Sequence, residues 1–173
     1  MKFSQYTLKD MPKVLHILEK HIDFTPDVAA PIPGENLELF KDSDGSRDDY
    51  ILTSEDGAHV FAYMAVTKRD LGSGKSCYYV GQLYAKDDGH AEEYAKRLLT
   101  EFETSLFETN ALCGLVYPGS ECASAFWKAN GYCFSPERSI FTNAEDERLA
   151  AYYKPLIRQR TSLHIHQSLL MLL

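Results

Sequence analysis

The chain lacks any apolar run long enough to cross a membrane, so no membrane partner is expected. It also lacks an excess of positive charge: 18 Lys and Arg stand against 25 Asp and Glu, a net charge of −7. General nucleic-acid binding needs a basic face, so that class is excluded, and the acidic balance suits a cationic small substrate. Cysteine is sparse and unpaired in pattern. Cys77, Cys113, Cys122 and Cys133 form no C-x-x-C, and reduced, buried thiols in a cytoplasmic protein are expected. The start, Met1-Lys-Phe-Ser-Gln-Tyr6, is too polar for a secretory leader. Two loops approach ion- or nucleotide-binding motifs without completing them. The polar stretch Lys41–Asp49 lacks the calcium-loop spacing and its Glu at the twelfth place. Gly72-Ser-Gly-Lys75-Ser76 has Arg69 where a P-loop requires its first glycine, and a strand follows it instead of a helix. Lys68–Ser76 is therefore expected to be a plain hairpin loop. His164 and His166 have no third ligand near them, and no metal is expected.

What is present is organised around Cys77–Tyr132. Cys77-Tyr-Tyr-Val-Gly-Gln-Leu-Tyr84 is apolar and aromatic, as a buried strand requires. Gly81 inside it predicts a β-bulge. Tyr94, Ala95, Leu98, Leu99, Phe102, Leu106 and Phe107 recur at helical spacing. Ala111–Tyr117 reads as a second strand, stopped by Pro118-Gly119. Ser120 is placed to cap a short helix carrying Ala123, Phe126 and Trp127, which ends at Gly131-Tyr132. A strand-helix-strand unit of this length predicts a parallel pair of strands joined by a crossover helix, with ligands bound where those strands end.

These residues resemble the core of the GNAT acyltransferase superfamily, which transfers acyl groups from coenzyme A to amines. Leu83-Tyr84-Ala85 corresponds to the family's strand-ending triplet. The stretch from Val116 to Tyr132 aligns without a gap with its Asn-x-x-Ala-x-x-[LF]-Tyr-x-x-x-Gly-Phe pattern, matched at Ala123, Phe126, Gly131 and Tyr132. The resemblance implies an α+β fold: a mixed, mostly antiparallel sheet of six to seven strands with helices on both faces. It also implies a single domain over 1–156, with 157–173 as an apolar C-terminal extension. The departures are specific. Ser120 stands for the family's Asn, and Trp127 stands for the Tyr that often serves as general acid; an indole has no proton to give. Two registers fit the Gly-rich phosphate turn. One uses Lys86, Gly89 and Ala91. The other, ungapped, uses His90, Glu93 and Ala95, and it is the preferred one because it keeps strand and helix in phase.

Outside this core the N-terminal segment reads as a short strand and then a helix whose buried face is Met11, Val14, Leu15, Leu18 and Ile22, capped by Thr7 or Asp10. A Pro-rich loop follows, then a second short helix over Glu35–Phe40. The resemblance makes this region the cover of the acceptor site, with Phe24, Asp27, Glu35 and Glu38 as substrate contacts. Asp56-Gly57 marks a hairpin between Tyr50–Thr53 and His59–Thr67. Phe61, Tyr63 and Ala65 are expected on one face of the second strand, and Val60, Ala62, Met64 and Val66 on the other. Beyond Tyr132, Cys133-Phe134 and a stretch within Leu149–Pro155 are expected strands. The leucine-rich end is too apolar to hang in water and is expected to join a homodimer.

Aminolysis of a thioester needs a positioned thioester, a donor to its carbonyl oxygen and a route for the amine proton. The resemblance assigns the pantetheine arm to backbone groups of Leu83, Tyr84 and Ala85. It assigns the pyrophosphate to the helix start around His90, Ala91, Glu92, Glu93, Tyr94 and Ala95, with Ser120 and Trp127 beside the cofactor. The candidates for proton transfer are Asp87, Asp88 and a water held by Tyr84 or Gln82. Residues 86–93 carry one Lys against two Asp and two Glu, net −3, which opposes an anion and implies weak affinity for acetyl-CoA as co-substrate. Two functions follow: an acetyl-CoA-dependent N-acyltransferase acting on a small-molecule or peptide amine, or a catalytically inactive binding module on the same fold.

Overall fold

The computed structural model describes residues 1–24, 47–72, 75–106, 111–116, 121–134 and 152–156. The positions of Asp27, Glu35, Glu38 and Ser120, most of the polar stretch from Lys41, and the extension 157–173 lie outside the described residues. Strands β1 (Lys2–Gln5), β2 (His21–Asp23), β3 (Arg47–Thr53), β4 (Val60–Gly72), β5 (Lys75–Lys86), β6 (Ala111–Val116), β7 (Cys133–Phe134) and β8 (Tyr152–Pro155) form one sheet. Its order is β1-β3-β4-β5-β6-β8-β7, with β2 added to β5 off that path. All pairings are antiparallel except β5 with β6. This is the mixed, mostly antiparallel α+β sheet expected; β2 and the very short β7 carry the described strands to eight, past the six to seven expected.

The helices α1 (Met11–Leu18), α2 (Ala91–Leu106) and α3 (Glu121–Ala129) follow from local chemistry. The Asp10 carboxylate accepts the Thr7 N–H at 3.0 Å and its hydroxyl at 2.7 Å, and Pro12 sits in the first turn of α1, where its missing N–H is harmless. Helix α1 does not run on to Ile22. It stops at Leu18, and His21 Nδ1 lies 2.9 Å from the Leu18 carbonyl oxygen, donating to a carbonyl that the helix leaves open. Ile17 takes the buried place given to Ile22, which is 41% exposed on β2.

The sheet has apolar chemistry on both faces. On one, Val14 and Ile17 of α1 pack with Ile51, Val60, Tyr63, Ala65 and Tyr84. On the other, Leu98, Leu99 and Phe102 of α2 and Phe126 and Trp127 of α3 pack with Leu52, Ala62, Met64, Val66 and Val80. Each large side chain so buried contributes about 1.5–3 kcal/mol. Val60 and Phe61 sit on the faces opposite to those expected. Thr53 pairs with Val60 but Leu52 pairs with Ala62, so Phe61 is an extra residue in β4 and the alternation slips by one at that point. The expected loop at Lys68–Ser76 is mostly ladder, since β4 and β5 pair from Lys68↔Tyr78 to Gly72↔Lys75.

The end of α3 explains the Gly131-Tyr132 pair. The Tyr132 N–H donates to the Trp127 carbonyl at 3.0 Å and the Gly131 N–H to that of Lys128 at 3.0 Å, a Schellman cap. Gly131 has φ +87°, a conformation that costs a side-chain-bearing residue. Tyr132 packs edge-on to Trp127 at 4.9 Å and donates its hydroxyl to the buried Glu103 at 3.0 Å. Lys154 of β8 reaches the other Glu103 oxygen at 2.6 Å. One carboxylate thus ties α2, the turn after α3 and the sheet together.

Candidate functional site

Ala65 pairs with Gln82 and Val66 with Val80, which makes Gly81 the extra residue of the expected bulge. Among the described residues the pairing of β5 with β6 reaches Val80↔Val116, while β5 runs on to Lys86. One edge of this overhang pairs with β4 as far as Ala62↔Ala85. The other edge is taken by the chain itself. His21, Ile22 and Asp23 of β2 stand opposite Lys86, Ala85 and Tyr84. The Phe24 N–H donates to the Leu83 carbonyl at 2.9 Å and the Asp87 N–H to the Lys20 carbonyl at 3.1 Å. Antiparallel alternation makes Ile22 and Ala85 the hydrogen-bonded pair between them.

Trp127 is fully buried, and its indole N–H donates to the Phe24 carbonyl at 3.0 Å. Phe24, expected as a substrate contact, is instead 7% exposed with its ring 4.6 Å from that of Phe126. Trp127 thus holds the end of β2 in place, a role that residue type alone did not reveal.

Just before α2 the Asp88 carboxylate lies beside the helix start. It accepts the His90 N–H at 3.3 Å and the Tyr94 hydroxyl at 3.3 Å, and it lies 3.3 Å from Lys86 Nζ. Burial first, then the Asp88 charge and hydrogen bond, raise the Tyr94 hydroxyl above the ordinary phenol range. His90 Nδ1 is 3.2 Å from Glu93 Oε2. The helix begins at Ala91, so Lys86, Gly89 (φ +93°) and Ala91 surround its start, while Glu93 and Ala95 belong to its first turns. Ala95 is wholly buried and Ala91 nearly so; only their backbones could meet a ligand. Glu92 and Glu93 are exposed.

Of the candidates for proton transfer, Gln82 and Tyr84 are buried, at 5% and 2%. The Tyr84 ring packs on Tyr63 and edge-on to His21 at 5.0 Å. Asp87 is reachable from solvent, 3.9 Å from Lys20 Nζ. The side chains of Leu83 and Ala85 are wholly buried. Beside Asp87 a groove of about 410 Å³ runs under α1, lined by Lys13, His16, Lys20, His59 and Lys86. Its lysines outnumber its carboxylates, Glu19 and Asp87, which does not suit the cationic amine that the net charge favoured. Cys133 is a free, exposed thiol and not a core one. Among the described residues no cluster of side chains could hold a metal ion, and no helix is long and apolar enough to cross a membrane.

No protein-family model and no curated protein matches the chain. Solved structures do match. The ribosomal-protein-S18-alanine N-acetyltransferase from Escherichia coli superimposes with a TM-score of 0.60 at 14% identity, over 94% of this chain and 98% of that one. The aminoglycoside 6'-N-acetyltransferase from Enterococcus faecium gives 0.62 at 12% identity, over 93% and 100%. An aminoglycoside 6'-N-acetyltransferase complexed with coenzyme A gives 0.60 at 11% identity, over 93% and 100%. The chain therefore has the fold of these acetyltransferases, shared also with a GNAT-family acetyltransferase from Staphylococcus aureus.

Proposed function

We propose that the protein is an acyl-CoA-dependent N-acyltransferase that moves an acetyl group from acetyl-CoA to an amine of a small molecule or peptide in the cytoplasm. The observation that carries this reading is the Gly81 bulge of β5 against β4, one residue past the last described pair with β6, Val80↔Val116, and followed by Leu83–Ala85 and then the N-terminus of α2. An extended arm along Leu83 and Ala85 would bring a pyrophosphate towards the N–H groups of Ala91, Glu92 and Glu93, which have no intrahelical acceptor. In the reaction the amine nitrogen attacks the thioester carbonyl carbon, the C–S bond breaks, and the thiolate leaves. Asp87 is the accessible carboxylate positioned to take the amine proton, directly or through water. A weak cofactor affinity follows from Asp88, Glu92 and Glu93 around the helix start.

A second reading is favoured by one observation: the chain itself covers the strand edge an acyl-CoA arm would use, with β2 paired to β5, and a carboxylate, Asp88, stands beside the helix start. It makes the protein a binding module on an enzyme fold. Release of free thiol from acetyl-CoA, followed across a panel of primary amines and peptides, separates the two. Amine-dependent release, with the acetylated product found by mass, is expected. Saturable acetyl-CoA binding with no amine-dependent release would establish the module instead.

A further inference from the structure

We infer that β2 is a latch: the chain's own stand-in for the acyl-CoA arm, which must leave the edge of β5 before the cofactor enters. The inference rests on the acyl-CoA reading above and adds the regulation of that site. A pantetheine arm is an extended chain carrying amide N–H and C=O groups, and a strand edge binds such a chain by main-chain hydrogen bonds. The groups available on this edge of β5 are those of Leu83, Ala85 and Asp87. Phe24, Ile22 and Lys20 occupy all three places. The other edge is covered by β4, so arm and β2 compete for one set of partners.

The latch is built to open. Strand β2 is three residues long, with Ile22 and Asp23 exposed, and short, exposed ladders open at low free energy. What holds it is concentrated at one end, in the buried ring of Phe24 on Phe126 and the Trp127 N–H on the Phe24 carbonyl. Opening would free that indole N–H and uncover Phe126 beside the site. This also accounts for a tryptophan where the resembled enzymes carry a tyrosine: it serves as a catch.

Hydrogen exchange on the wild-type protein, with and without saturating acetyl-CoA, tests the latch directly. The Phe24 N–H should lose protection at least ten-fold when acetyl-CoA binds, because its Leu83 acceptor is taken, while the Val80 amide stays protected. Continued protection of Phe24 in the bound protein would overturn the latch. Ile22→Pro removes the central N–H of β2 at little loss of packing, since that side chain is exposed. It should tighten acetyl-CoA binding ten-fold or more by calorimetry, while Ile22→Ala, which keeps the N–H, stays within two-fold of wild type. Equal affinity of the Pro variant and wild type sinks the latch but leaves the acyl-CoA reading intact. No binding by any variant, with Ala85 and Asp87 amides exchanging fast in Ile22→Pro, sinks the acyl-CoA reading itself and with it the ligand named here.

Discussion

At the scale of single residues, Glu103 is the buried charge that joins three elements. It is a carboxylate in the core, matched by the Tyr132 hydroxyl and the Lys154 ammonium. Glu103→Leu leaves both partners without an acceptor and should destabilise by about 2–4 kcal/mol in urea unfolding. Tyr132→Phe removes a single hydrogen bond and should lose about 1 kcal/mol. Equal losses would mean that the Lys154 pair contributes nothing. Gly131→Ala should lose about 1–2 kcal/mol from its left-handed backbone alone, because a Cβ there would stand in ordinary contact, 3.6 Å from Lys154 Cε. The Gly-Tyr pair was legible in the sequence; its partner was not recognised, although Glu103 falls four residues after Leu99 and three before Leu106, on the apolar stripe of α2. A charge on that stripe was the available signal. Trp127 offered no comparable sign, since its acceptor is a backbone carbonyl 103 residues away in the chain.

At the scale of elements, β5, α2, β6 and α3 were legible because each carries a strong local pattern, and Gly81 marked its own bulge. β2 was not. Val14, Leu15, Leu18 and Ile22 keep helical spacing, and only the pairing of residues 21–23 with 84–86 decides for strand; a contact between segments so far apart in the chain leaves no local trace. The faces of Val60 and Phe61 were missed for a related reason, since a one-residue bulge without glycine is silent in the sequence. The start of α2 makes a testable element. Asp88→Asn removes a negative charge beside the helix start, and it should tighten acetyl-CoA binding about two- to five-fold at low salt, an effect of about 0.3–1 kcal/mol. The same change should lower the Tyr94 ionisation only part of the way to the ordinary phenol range, because burial is the larger cause of its rise. The phenol therefore stays protonated at neutral pH in both proteins, and the difference shows only in an alkaline titration. Unchanged affinity would place the pyrophosphate away from this helix.

At the scale of the whole molecule, the parallel pair β5–β6 joined by α2 fixes the topology, and a crossover of that length is visible from hydrophobic pattern alone. That pair, together with the matches at Leu83-Tyr84-Ala85, Ala123, Phe126, Gly131 and Tyr132, carries the resemblance through which the fold is legible, while sequence identity to its structural neighbours lies at 11–14%. In this sheet the edge of β5 beyond Val80 is paired by the chain's own N-terminal segment, β2. The most direct test is a titration with acetyl-CoA followed at the backbone amides by heteronuclear NMR. Saturable shifts at Leu83, Ala85 and Ala91–Glu93, with Val14 and Ile51 on the α1 face unmoved, are the predicted result. Shifts confined to the lysine-lined groove under α1, or none at millimolar acetyl-CoA, would contradict it.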